Sequence, residues 1–263
     1  MKTDAFRTSR HWGAVCLFVA LLGACDPADT GQSSADVLVR NFSEIALSNE
    51  YDDGFSGRGG VSPLRRWEDP VRFQIVFGAG VLPAQRAKDA LSVSQYADRL
   101  RQVTGHPVST SGSPNFIVVI ASEGDRAAAL QEAALRVPSI AGPPLAILNG
   151  LDRDTFCAVA AYATENGGTR YTAAVAVIRA EHDDLRRLSC IHEELAQGLG
   201  LPNDSRRTRP SIFNDDDEFS FLTDHDELLL RILYDPRLSA GMTSDTALPI
   251  ARVIAQELIG EVP

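Results

Sequence analysis

Hydrophobic and polar positions change period repeatedly along this chain, and each change predicts an element. The first apolar run, Gly13 to Ala24, follows a start made basic by Lys2, Arg7 and Arg10. About a dozen apolar residues after such a start form a signal-peptide core, too short to span a bilayer as a stable helix. Residues 25–35 are mostly small and polar and read as a tether. Val37, Leu38, Phe42, Ile45 and Ala46 then recur at helical spacing and predict an N-terminal helix from Asp36 to Asn49. A glycine-rich loop follows, from Asp52 to Ser62. From there strands and helices alternate. Val71 to Phe77 is a strand, Ala84 to Thr104 a helix, Phe116 to Ala121 an apolar strand and Asp125 to Arg136 a helix. Pro138 and Pro143-Pro144 break the chain after it. Phe156 to Ala163 and Tyr171 to Ile178 are strands joined through Glu165-Asn166-Gly167-Gly168, a hairpin turn signal.

Three more helices are expected. Asp183 or Asp184 caps one that carries Glu193 and Glu194. Thr223 or Asp224 caps the next, in which Asp226 and Glu227 load the first turn and Leu228, Leu229, Ile232 and Leu233 face the core. Ala247 to Ile259 is the last. Neither an internal repeat nor a phosphate-cradling glycine loop is present. The alternation predicts an α/β (α+β) fold over 36–263, with a mixed twisted sheet, backing helices and a small helical C-terminal subdomain from about residue 201.

Charge narrows the partners. The 263 residues carry a formal charge of −10, and removing Met1 to Ala24 leaves 22 basic against 34 acidic residues, or −12. A chain of that sign is a poor nucleic-acid binder and gains nothing electrostatically at an anionic lipid surface. The run Asp215-Asp216-Asp217-Glu218 lacks the glycine and alternate spacing of a calcium loop and reads as a solvated stretch. Of the four cysteines, Cys16 leaves with the signal and Cys25 begins the tether, so Cys157 and Cys190 remain for the domain. In an oxidising compartment two cysteines most simply pair, closing a loop of about 30 residues worth roughly 3–4 kcal/mol. The alternative is two buried free thiols; no histidine arrangement points to a catalytic cysteine.

Candidate chemistry gathers at Glu193-Glu194-Leu195-Ala196-Gln197-Gly198-Leu199-Gly200-Leu201-Pro202-Asn203-Asp204. Glu193 and Gln197 stand at i and i+4 on one helix face, with Glu194 one residue round. Gly200 suits a left-handed helix end, after which Asn203 can fold back toward them. A carboxylate and two amide oxygens at Glu193, Gln197 and Asn203 are hard donors, suited to Ca²⁺, Mg²⁺ or Mn²⁺ and not to tight zinc. No cofactor is expected beyond such a hard divalent cation. Beginning the pattern at His192 puts Ala196 at i+4, which ligates nothing, so His192 reads as an exposed or capping-region histidine.

That segment resembles the metzincin zinc-peptidase motif H-E-x-x-H-x-x-G-x-x-H-D. Glu194, Gly200 and Asp204 match it, while Glu193, Gln197 and Asn203 replace the three histidines. Phe213, in Ser211-Ile212-Phe213-Asn214, falls where the family places its Met-turn, and Leu222 to Tyr234 resembles its closing helix. Arg66 to Phe73 is similar to the approach to its first strand. The resemblance implies a zincin-like domain, and it implies Glu194 as general base wherever chemistry survives. From about Trp67 to Met242 the chain also resembles a proteobacterial family of lipoproteins with a domain of unknown function, through the Glu193 to Asp204 core and the Pro210 to Asp216 stretch. Leu22-Gly23-Ala24-Cys25 resembles a lipobox, which implies lipid on Cys25 and an exported, membrane-anchored protein facing the periplasm.

Two functions follow as expectations. The lost histidines favour a non-catalytic binding scaffold, a pseudo-peptidase whose cleft takes a peptide or envelope protein, over an active zinc protease. The alternative is a hydrolase in which Glu193, Gln197 and Asn203 hold a hard cation or a water and Glu194 is the base.

Overall fold

The computed structural model describes residues 34–49, 60–163, 168–214 and 218–260. The stretch read as a signal segment, Cys25, the glycine-rich stretch before Gly60, most of the 165–168 turn and Asp215 to Asp217 lie outside the described residues. The chain divides into two units, 1–32 and 33–263, and all the described residues belong to the second.

The fold is a mixed α/β sheet covered by helices on both faces. Phe116–Ala121 (β4) is buried at every position, as a strand with neighbours on both faces and both edges must be. It runs parallel between Val71–Phe77 (β2) and Arg170–Arg179 (β6), and β2 carries the short parallel Val108–Ser109 (β3) on its outer edge. Arg66–Trp67 (β1) pairs in parallel with the start of β6. Cys157–Ala163 (β5) lies antiparallel against β6, placing Ile75, Val118, Ala176 and Val159 in one row across four strands. Among the described residues no strand pairs with the other edge of β5.

Alternation along the strands divides the interior in two. Phe116, Val118 and Ile120 of β4 and Ala174, Ala176 and Ile178 of β6 face the larger core. It is completed by Ala35–Ala46 (α1), Pro83–Thr104 (α2), Asp184–Gln197 (α5), Asp224–Leu233 (α6) and Ser244–Ile259 (α7). Ile117, Val119, Val175 and Val177 face the smaller core, under Arg126–Arg136 (α3) and Pro143–Asn149 (α4). The C-terminal helices therefore share one core with the N-terminal α1, which packs on both α6 and α7.

Helix ends follow local chemistry. Ser34 Oγ accepts from Val37 N, and Gly105 closes α2 at φ 66°. Asp183, not Asp184, caps α5, accepting from Arg186 N at 2.9 Å. Asp184 instead pairs with Lys88 and Arg187. Thr223 and Asp226 form a reciprocal capping box at α6. Two expectations are corrected. Pro138 begins a 3₁₀ turn and Pro143 begins α4, because a proline in the first helical turn lacks only an N–H that would have no helical partner there. The last helix starts at Ser244, a turn before the apolar spacing begins, and carries Pro249 within it.

Candidate functional site: a cleft between an edge strand and a helix

The motif helix is held from both ends and from below. Buried Arg187 of α5 donates to Asp89 of α2 at 3.1 and 3.2 Å, an ion pair with both side chains about 5% exposed or less. At its C-terminus α5 leaves carbonyls without helical partners. Trp67 Nε1 donates to the Gly198 carbonyl at 2.8 Å, and Tyr234 Oη to that of Leu199 at 2.7 Å. The helix ends at Gln197 with Gly198 as C-cap at φ −65°, so Gly200 is not its left-handed terminator. Gly200 serves the next bend instead, at φ +124°, where a Cβ would lie 2.3 Å from the Arg65 carbonyl oxygen.

A cleft of about 590 Å³ opens between α5 and β5. Cys190, Glu193, Glu194 and Gln197 stand at i, i+3, i+4 and i+7, so one face of α5 forms one wall. Val159 and Ala161 of β5 form the other, and Pro202, Asp204 and Ile212 close one end. A disulfide between Cys157 and Cys190, with Cα atoms 5.9 Å apart, joins the walls as expected. The loop 150–156 forms the rim. Buried Arg179 donates to the carbonyls of Thr155 and Asp152 at 2.7 and 2.5 Å, and buried Arg126 to that of Asn149 at 2.7 Å. Both arginines also pair with Glu123, whose carboxyl is held below its usual range mainly by the hydrogen bond from Arg179. Arg186 lies over the Phe156 ring, 4.4 Å from its centroid.

The structure brings Glu193, Glu194 and Gln197 together at this cleft, with Glu194 only 4% exposed. Asn203 goes elsewhere. Its Nδ2 donates to the Glu44 carbonyl at 2.8 Å and its backbone N to that of Ile45 at 3.3 Å. Those carbonyls lie in the last turn of α1 and need donors, so Asn203 closes the end of that helix. Asp204 lines the cleft in its stead, accepting from Gln197 Nε2 at 2.9 Å. The residue after the helix that joins Glu193, Glu194 and Gln197 at the cleft is thus the aspartate that trails the motif.

Phe213 is fully buried. Its turn is fastened to α6 by Asp226, which accepts from Ser211 Oγ at 2.5 Å, Ile212 N at 3.0 Å and Thr223 N at 2.9 Å. Burial raises the Asp226 carboxyl above its usual range, and these donors oppose the shift. His192 is not exposed. Its ring stacks on Tyr96 at 4.1 Å, lies 5.3 Å from Phe221 and accepts from Leu222 N at Nδ1, and burial lowers its pKa to about 4. It faces α2, away from the cleft.

Sequence reasoning missed the rim arginines and the cleft role of Arg186. Helical spacing counted from Cys190 would have found the full wall. For Arg126 and Arg179 no local signal exists, since their partners are carbonyls some 23 to 28 residues away.

Fold and site together define an α/β protein with a disulfide-tied, acid-walled cleft along a sheet edge. The family described as "Protein of unknown function (DUF2927)" matches residues 35–253, and the chain belongs to it. No curated protein and no solved structure matches the chain. Among the described residues no helix is long and apolar enough to cross a membrane.

Proposed function

We propose that this is a lipid-anchored envelope protein whose degenerate, metzincin-like cleft binds an extended peptide without cleaving it. One observation carries the reading: the outer edge of β5 runs beside the acidic face of α5, with the space between them open. An unpaired strand edge offers backbone donors and acceptors to an incoming strand, and side-chain pockets beside it select the sequence. Glu193, Glu194 and Asp204 favour a basic side chain in that strand. Two of the three positions at which metzincins carry zinc-binding histidines serve the fold here. Gln197 is bonded to Asp204 and Asn203 to the end of α1, which weighs against a retained hydrolytic metal. The antiparallel edge strand, the helix beneath it and the buried Phe213 turn support the metzincin-like reading.

The test selects phage-displayed peptides on the full-length protein and titrates labelled hits by fluorescence anisotropy. Ala161→Trp, which fills the cleft, is expected to weaken binding by about tenfold or more without lowering the melting temperature. Added salt weakens it further. Equal binding to Ala161→Trp removes the cleft from consideration. Cleavage of the peptides that is lost in Glu194→Gln replaces the binding reading with a hydrolase. Anchoring is tested separately: Cys25→Ser changes the mature mass and releases the protein from membranes, and an unchanged fractionation overturns the lipid site.

A further inference from the structure

The disulfide at the cleft covers a second kind of site. One ligand atom from each of Cys157, Glu193 and Glu194 lies within 4.8 Å of the other two. Cys157 is bonded through its sulfur to Cys190, which shares the α5 face with both glutamates. In the oxidised protein the sulfurs are occupied by each other, and of this group only the carboxylates can ligate. Reduction changes the donor set to two thiols and two carboxylates. That set suits tetrahedral Zn²⁺, which prefers thiolate and accepts carboxylate.

We infer that Cys157, Cys190, Glu193 and Glu194 form a zinc site that exists only when the disulfide is reduced. Cys157 is half-buried and lines the cleft, so its sulfur is the one open to attack, whereas Cys190 is 1% exposed. The reductant is a dithiol. One of its thiolates attacks Cys157 Sγ, forming a mixed disulfide and releasing Cys190 as a thiolate. Its second thiolate then attacks its own sulfur in that mixed disulfide, expelling Cys157 as a thiolate and closing the reductant's disulfide. Two electrons pass from the dithiol to the two cysteine sulfurs, and the two protons the dithiol gives up leave both cysteines as thiols. Zn²⁺ binding displaces both thiol protons. Two carboxylates beside a sulfur repel a thiolate, and a divalent cation removes that repulsion. The dithiol state and the metal therefore stabilise each other, and the protein takes up zinc when its cleft is reduced and gives it up on oxidation.

The experiment titrates the full-length protein with Co²⁺ as a spectroscopic stand-in for zinc, before and after reduction with a phosphine. The reduced protein is expected to bind one equivalent with a thiolate-to-cobalt charge-transfer band, and the oxidised protein none. Glu193→Gln and Glu194→Gln should each weaken the reduced site by about tenfold or more, since even groups that only support a ligand have effects of that size. Cys190→Ser frees Cys157 without any reductant and keeps the test valid should reduction unfold the chain, because a one-thiolate cobalt spectrum is then expected directly. No charge-transfer band in either reduced wild type or Cys190→Ser overturns the site. Unchanged affinity in both glutamine variants overturns the assignment of the carboxylates.

Discussion

Removing the cross-link between β5 and α5 should cost this protein a large part of its stability. Cys157→Ala with Cys190→Ala deletes a bond between residues 33 apart in sequence. In the chain-entropy picture a closed loop of that length restricts the unfolded chain by about 12 cal/mol/K, or about 4 kcal/mol at 25 °C. A folded domain of this kind holds on the order of 5–15 kcal/mol, so the variant remains folded with a reduced margin. Urea unfolding followed by tryptophan fluorescence reads it directly. Trp67 is fully buried against Phe116 at a centroid distance of 6.3 Å, so its emission reports the main core. The double variant, and wild type reduced in the presence of a chelator, should both lose about 4 kcal/mol, with a melting point lower by roughly 8–16 °C. The slope against urea should also rise, because the unfolded chain expands once the cross-link is gone. A loss below about 1 kcal/mol in both would refute the reasoning, since the tie would then restrain nothing that the rest of the fold leaves free.

Gly200→Ala should destabilise by at least about 3 kcal/mol, combining a disfavoured positive φ with a clash against backbone, and thermal melting checks it. A drop under about 1 kcal/mol would show that the bend has room to relax. Asn203→Ala should cost about 1 kcal/mol through the end of α1 while leaving peptide affinity unchanged; an affinity loss would return Asn203 to the cleft. Buried His225, 2.9 Å from Asn41 Nδ2, has its pKa lowered to about 4 by desolvation and by Arg40. Its unfolded value is near 6.5, so the unfolded chain binds the extra proton first. Stability is then full above about pH 6.5 and falls as pH drops toward 4, by roughly 3 kcal/mol for this group. Urea midpoints measured from pH 7 to 4 should show the loss, and a flat profile would mean that the buried ring finds a partner for its proton.

Elements whose reason is local were legible in the residues themselves. The six apolar residues of β4, short and rich in β-branched side chains, point to an interior strand, and the helically spaced apolar positions of α6 mark its core face. Side-chain chemistry narrowed the caps to Asp183 or Asp184 and to Thr223 or Asp224, and the fold uses Asp183 and Thr223. The pairing of Cys157 with Cys190, expected ahead of two buried free thiols, is formed. Short pieces were not legible: β1 and β3 have two residues each, too few for a period, and a proline that starts a helix looks like one that breaks a chain.

The cleft divides along the same line. Spacing along α5 by itself puts Glu193, Glu194 and Gln197 on one face, because a helix converts sequence distance into direction. What that face meets was decided only by the tertiary fold. Asn203 went to α1 because carbonyls at a helix end needed its donors, and Asp204 came to Gln197 in its place. His192 turned toward Tyr96, and Arg126 and Arg179 found loop carbonyls that lie far from them in sequence. Each of these partners is set by satisfying a buried polar group, a condition of the whole packed chain that no window of residues contains.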